Sequence, residues 1–176
     1  MFEYQEKNRY FAQTQRGLES IVRSELEELG AEDCSEAFCG VHFTAPKAIM
    51  YKINYCARTI TRVLAPLGSF RCDTENFLYQ KSRKIEWNQI LSLDKTFAVF
   101  ANVSNSKITH SKFAGYKVKD AIADYFREKT GDRPNVDPKK PDSWISLNIH
   151  KDIATVSLDT SGGSLHRRSY RRTSVE

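Results

Sequence analysis

Residues 10–44 read YFAQTQRGLESIVRSELEELGAEDCSEAFCGVHFT, and the hydrophobic period changes twice along them. Tyr10–Thr14 predicts a short strand. Leu18, Ile21, Val22, Leu26 and Leu29 then recur at spacings of three and four, which predicts an amphipathic helix with Gly30 as its stop. Cys34–Phe38 and Val41–Thr44 predict two short strands around Gly40, a hairpin. Working outward, Pro46 suits the first turn of a second helix whose apolar residues include Ile49, Ile53 and Cys56. Ile60–Leu67 predicts a closing strand, with Pro66 placing its end at a sheet edge or a bulge. The order is βαββαβ, the ferredoxin-like arrangement.

A second unit follows. Glu75–Ile85 predicts a helix, and Trp87, Ile90 and Leu91 a further short turn. Thr96–Val103 predicts a strand and 104–112 a polar loop. Ala114–Lys129 is the clearest helix, with Ala114, Val118, Ala121, Ile122, Tyr125 and Phe126 on one face and Gly131 behind it. Arg133–Asp142 holds three prolines and predicts a loop. Trp144–His150 alternates apolar and polar residues, and Lys151-Asp152 links it tightly to a strand over Ile153–Asp159. Ser161-Gly162-Gly163-Ser164 has linker composition. The fold class is therefore α+β, a ferredoxin-like βαββαβ unit followed by an α/β unit. The expected division is 1–73, 74–160 and a basic linker over 161–176.

The 176 residues carry a net charge of +5 with 40% hydrophobic residues, a composition that supports a packed core and excludes a disordered chain. No apolar run approaches the ~18 residues of a membrane span, and the polar, acid-bearing N-terminus does not read as a leader. The expectation is a cytoplasmic protein with no membrane partner. Cys34, Cys39, Cys56 and Cys72 lack metal-site or C-x-x-C spacing and read as reduced, part-buried side chains. No glycine-rich nucleotide loop, Walker motif, zincin helix or nucleophile elbow occurs, and no catalytic residue or metal ligand is assigned.

Charge is distributed unevenly. The first 73 residues are near neutral, whereas Asn105–Lys119 holds Lys107, Lys112, Lys117 and Lys119, with His110 and no acid. Such a stripe is the footprint of a phosphate-rich partner. Lysines at a helix start oppose its dipole, and a bound phosphate would relieve that conflict with donors from the backbone, Ser111 and the lysines. The alternative is that Ser111 caps the helix and the lysines are solvated. Asp120, Asp124 and Glu128, at i,i+4 spacing, read as a face laced with ion pairs; a metal-dependent nuclease is the competing reading. A basic protein-interaction domain is a third. Arg133 is a further candidate contact, as are Arg167, Arg168, Arg171 and Arg172 of the tail. His166 reads as a polar linker residue.

Several blocks resemble one family in its own order: Gly17-Leu18-Glu19, Gly40-Val41-His42-Phe43, Ser111-Lys112-Phe113 before Lys117-Val118-Lys119-Asp120-Ala121-Ile122, Arg133-Pro134-Asn135-Val136-Asp137, Pro141-Asp142, and Leu158-Asp159-Thr160-Ser161-Gly162 leading to Leu165-His166-Arg167-Arg168. Together they resemble a THUMP domain. More narrowly they resemble the N-terminal region of bacterial 23S rRNA guanine-N2 methyltransferases, also described as N6-adenine-specific DNA methylases. Ser169 stands where that family usually has glycine. The resemblance covers nearly the whole chain from Tyr10. It implies a ferredoxin-like unit joined to THUMP, RNA (most specifically 23S rRNA) as partner, and methyl transfer from S-adenosylmethionine by a downstream domain of the same polypeptide. The 176 residues then read as the N-terminal part of such an enzyme, non-catalytic and without a cofactor of their own. A THUMP module of another RNA-modifying enzyme, such as a thiouridine synthase or a tRNA methyltransferase, is the alternative.

Overall fold

The computed structural model describes residues 1–167. In chain order the elements are α1 (Glu3–Lys7), β1 (Arg9–Gln13), α2 (Glu19–Leu29), β2 (Glu32–Ala37), β3 (Gly40–Thr44), α3 (Lys47–Cys56), β4 (Arg62–Arg71), α4 (Glu75–Arg83), β5 (Phe97–Ser104), α5 (Ser111–Thr130), β6 (Ser143–His150) and β7 (Ile153–Asp159). There are also two 3-10 turns, Trp87–Gln89 and Leu165–Arg167. The βαββαβ order of the first unit is as expected, and α1 is an addition that periodicity does not indicate.

All seven strands join in one sheet, ordered β2-β3-β1-β4-β7-β6-β5. The first four are the ferredoxin-like set. The two units meet where β4 pairs antiparallel with β7, from Leu64 opposite Asp159 to Arg71 opposite Ile153. Pro66 sits at a register shift between Pro66 and Gly68, so the expected bulge is present. The strand does not end there. It continues to Arg71, because past the bulge its backbone groups are taken up by β7. β5 and β6 run parallel, and α5 crosses between them, as a parallel connection requires.

Alternation along the strands gives the sheet two unlike faces. On one, Tyr10, Ala12, Val41, Phe43, Val63 and Ala65 pack with Val22 and Leu26 of α2 and Met50 and Ile53 of α3. Farther along, Ile145, Leu147, Ile149, Ala154 and Val156 pack with Trp87 and with Val118, Ile122 and Phe126 of α5. Gly115 faces the sheet, and a side-chain carbon there would sit in ordinary contact with Ala101, at 3.5 Å. Tyr4, at the N-terminus, packs against both cores, stacked on Phe2 and tilted against Tyr10. The first residues thus fill the gap between the two helix layers.

The opposite face carries Phe11, His42, Leu64, Pro66, Asn148, His150, Thr155 and Ser157, and it is curled. Phe38, in the turn between β2 and β3, stacks on His150 of β6 with ring centroids 5.7 Å apart. Those strands are four places apart in the sheet, roughly 19 Å if flat, so contact requires pronounced twist and coil. Gly40 is needed where β3 and the Phe11 ring of β1 come close. A side chain there would meet the Phe11 ring at 2.2 Å and the Ala12 carbonyl at 2.5 Å.

On the same face the buried Asp159 carboxylate is ion-paired with Arg62, whose guanidinium lies 4.3 Å from the Phe100 ring centroid. Burial pushes the Asp159 carboxyl up, against the Ser161 N–H and Arg62, which pull it down. Arg62→Ala leaves an unpaired buried carboxylate and should cost about 3–5 kcal/mol near neutral pH in urea unfolding. A carboxyl raised in the fold binds its proton more tightly there than in the unfolded chain. The deficit should therefore shrink as pH falls into the carboxylate range.

Candidate nucleic-acid interface

The lysine window is placed by the exit from β5 and the start of α5. β5 runs to Ser104 and α5 begins at Ser111, so the polar loop is shorter than expected at both ends. Its geometry is set by Asp152 in the β6–β7 turn. One Asp152 carboxylate oxygen accepts from the Lys107 backbone N–H at 2.9 Å and from the Ser106 hydroxyl at 2.8 Å. These donors hold the Asp152 carboxyl below its ordinary range. Ile108 is buried and pins the loop's middle, while Lys107 and His110 point outward.

One expectation and one alternative need correction. The window is acid-free in sequence but not in space: Lys107 Nζ lies 3.8 Å from Asp73 and Lys119 Nζ 3.6 Å from Asp120. Both pairs are solvent-exposed, and such pairs contribute little. Ser111 is not the cap of α5. His110 occupies that position with no side-chain cap bond, so the first N–H groups of the helix receive no side-chain cap there.

Lys112, Tyr116 and Lys119 follow one another along the exposed face of α5, flanked by Phe113 and Lys117. Phe113 and Tyr116 are about half exposed. Lys117 Nζ stands 5.3 Å from the Phe113 centroid and Lys119 Nζ 5.2 Å from that of Tyr116. Sequence reasoning selects the lysines and misses the two rings. Their i,i+4 and i,i+3 offsets to lysine are the available signal. The strip offers cations and exposed rings together, a combination suited to phosphates and unstacked bases.

The structure does not bring every candidate together. Arg133 follows the C-terminal end of α5, and a 20-residue helix puts it about 30 Å from Lys112. Arg167 closes the second 3-10 turn; Arg168, Arg171 and Arg172 lie outside the described residues. The carboxylates on α5 are separately engaged. Asp124 accepts from the Tyr79 hydroxyl at 2.8 Å and from Arg127, and Glu128 pairs with Arg83. Among the described residues no group of His, Cys, Asp and Glu could hold a metal ion. The four cysteines are free thiols, but Cys56, at the last turn of α3, is exposed rather than part-buried as expected, and burial pushes Cys72 up to about 11.

The THUMP domain family matches residues 72–159. This chain belongs to the THUMP domain family. Its THUMP part therefore begins at the end of β4 and closes with β7, and the RlmL ferredoxin-like domain matches residues 9–64. Among solved structures, a predicted N6-adenine-specific DNA methylase from Listeria monocytogenes is 25% identical. That match has a TM-score of 0.81 and covers 100% of this chain and 47% of the other. SMU.472, solved in complex with SAH, is 27% identical, with a TM-score of 0.80 over 94% of this chain and 44% of that one. A 4-thiouridine synthetase solved with RNA and ATP shares the fold at 14% identity and a TM-score of 0.50, covering 86% and 40%. The chain thus spans about half the length of the structures it matches.

Asp152 sits at a positive φ of 59°, which glycine tolerates. Asp152→Gly should therefore remove the anchor without adding backbone strain. It should remove both hydrogen bonds to the loop and abolish hydrogen-exchange protection of the Lys107 amide. In the unsubstituted protein that protection should persist through neutral pH and fail only in acid, as Asp152 protonates below its ordinary range.

Proposed function

We propose that this chain is an RNA-recognition module that positions 23S rRNA for an S-adenosylmethionine-dependent guanine-N2 methyltransferase domain of the same polypeptide, in the cytoplasm. The observation that carries the proposal is the strip on the first turns of α5, where Lys112, Lys117 and Lys119 alternate with exposed Phe113 and Tyr116. THUMP domains bind RNA, and the likeness to a methylase and to a protein solved with SAH supports the methyl-transfer setting. Among the described residues no helix is long and apolar enough to cross a membrane.

In this reading RNA phosphates lie along Lys107, His110, Ser111, Lys112, Lys117 and Lys119. The lysine charges and the first N–H groups of α5 draw them in, and selection rests on RNA shape and unpaired bases. Arg133 and the tail arginines would contact RNA distant from this strip. S-adenosylmethionine belongs to the catalytic domain, and this chain contributes positioning. The division at residues 73 and 160 serves as the working boundary between the units. The fold shared with a thiouridine synthetase supports a second reading, the same module serving another RNA-modifying enzyme.

Lys112→Glu combined with Lys117→Glu should weaken binding to structured rRNA fragments by about tenfold or more. The log–log salt dependence should flatten by about one for each phosphate no longer neutralised. Unchanged affinity in a salt titration would remove this surface from the interface.

A further inference from the structure

The curled face of the sheet encloses a cavity of about 580 Å³, within the ~300–1,000 Å³ range of small-ligand sites. No helix covers it. Its floor is the cross-strand pair Ser146 and Ser157, each 3% exposed. Phe11 and His42, with ring centroids 4.9 Å apart, form one wall. Asn102 and Asn148 stand opposite each other on β5 and β6, both exposed into the open side. Over the mouth lies the Phe38–His150 stack, its planes within 12° of parallel. His150 Nδ1 is hydrogen-bonded to the Ser104 hydroxyl at 2.9 Å.

The charge pattern is specific. Among the described residues lining the cavity there is no carboxylate, and Arg16 is the one with a permanent charge. Burial holds His42 below its ordinary range and so favours the neutral ring. Just outside, Ser104 runs within three residues into Lys107, the start of the lysine loop. A neutral trough of rings, amides and hydroxyls therefore opens beside a loop that carries the exposed Lys107 ammonium, with Asp73 3.8 Å from it. That pattern complements a neutral heterocycle carried on an anionic backbone, and it does not complement a charged peptide side chain.

Resting on the RNA reading above, we infer that the trough receives an unpaired base of the RNA whose backbone lies on the lysine loop. The base stacks with the aromatic side chains, the amides of Asn102 and Asn148 face its hydrogen-bonding edge, and its phosphates stay at the rim. Each amide offers both donors and an acceptor, so it can meet any base edge. Phe38 is 62% exposed in a two-residue turn, and the Glu19 carboxylate holds that turn by accepting from the Cys39 N–H at 3.2 Å.

The test compares a blunt RNA hairpin with the same hairpin bearing a short unpaired tail that contains 2-aminopurine, using the 176-residue chain. In the unsubstituted protein the tail should raise affinity about tenfold, and the probe's fluorescence should be quenched on binding. Phe38→Ala with Asn148→Ala, both at exposed positions, should abolish the increment and the quenching while leaving blunt-hairpin affinity and thermal stability unchanged. An increment that survives the double variant, or a tail that adds nothing while the blunt hairpin still binds, overturns the trough inference and leaves the lysine interface intact. Binding of neither RNA overturns both.

Discussion

The pairing of β4 with β7 is the interaction on which the other features rest. A ferredoxin-like sheet ends at β4, which would otherwise be an edge with unpaired backbone groups. Here those groups are satisfied by the last strand of the THUMP part. Leu64 pairs with β1 on one side and with β7 on the other, and the bulge after Pro66 lies beyond the last β1 pair, where β4 continues against β7 alone. Without that handover there would be two small sheets, neither broad enough to curl until Phe38 meets His150. The concave face, the burial of Asp159 and the position of the Asp152 turn all follow from the continuity of the seven strands.

Most of the elements are legible in the sequence because each has a strong local signature. The α5 helix declares itself through Val118, Ile122, Tyr125 and Phe126, and the first unit through its change of period between Tyr10 and Thr44. The ends of α5 are less legible. Ser111, Lys112 and Phe113 are polar or exposed, and periodicity sees only buried positions. The helix Glu3–Lys7 escapes notice for a similar reason. It buries no residue of its own, and its value lies in Phe2 and Tyr4 wedged between the two cores, a tertiary fact. Periodicity stops β4 at Leu67 because proline normally ends a strand, and the partner that rescues it lies some ninety residues later.

The interface shows the same division. Lysine clustering is visible as composition, but the acids that meet it arrive from Asp73 and Asp152, remote in sequence and adjacent in the fold. Asp152 contributes more as an acceptor of hydrogen bonds that shape the loop than as a countercharge. The concave face is invisible to motif reading. Its residues come in ones, twos and threes from all seven strands and two turns, and only strand order and twist assemble them.

The path of β4 has one further consequence. The lysine loop and Asp152 sit at the Arg71 end of that strand. Leu165, whose N–H bonds the Thr61 carbonyl, sits at the Arg62 end. Ten residues of strand hold these two points about 30 Å apart. Tyr4 and the shared sheet leave no hinge between them. The two points are therefore fixed relative to each other like the jaws of a set calliper: a partner held at the lysine loop would lie at a constant distance from Leu165.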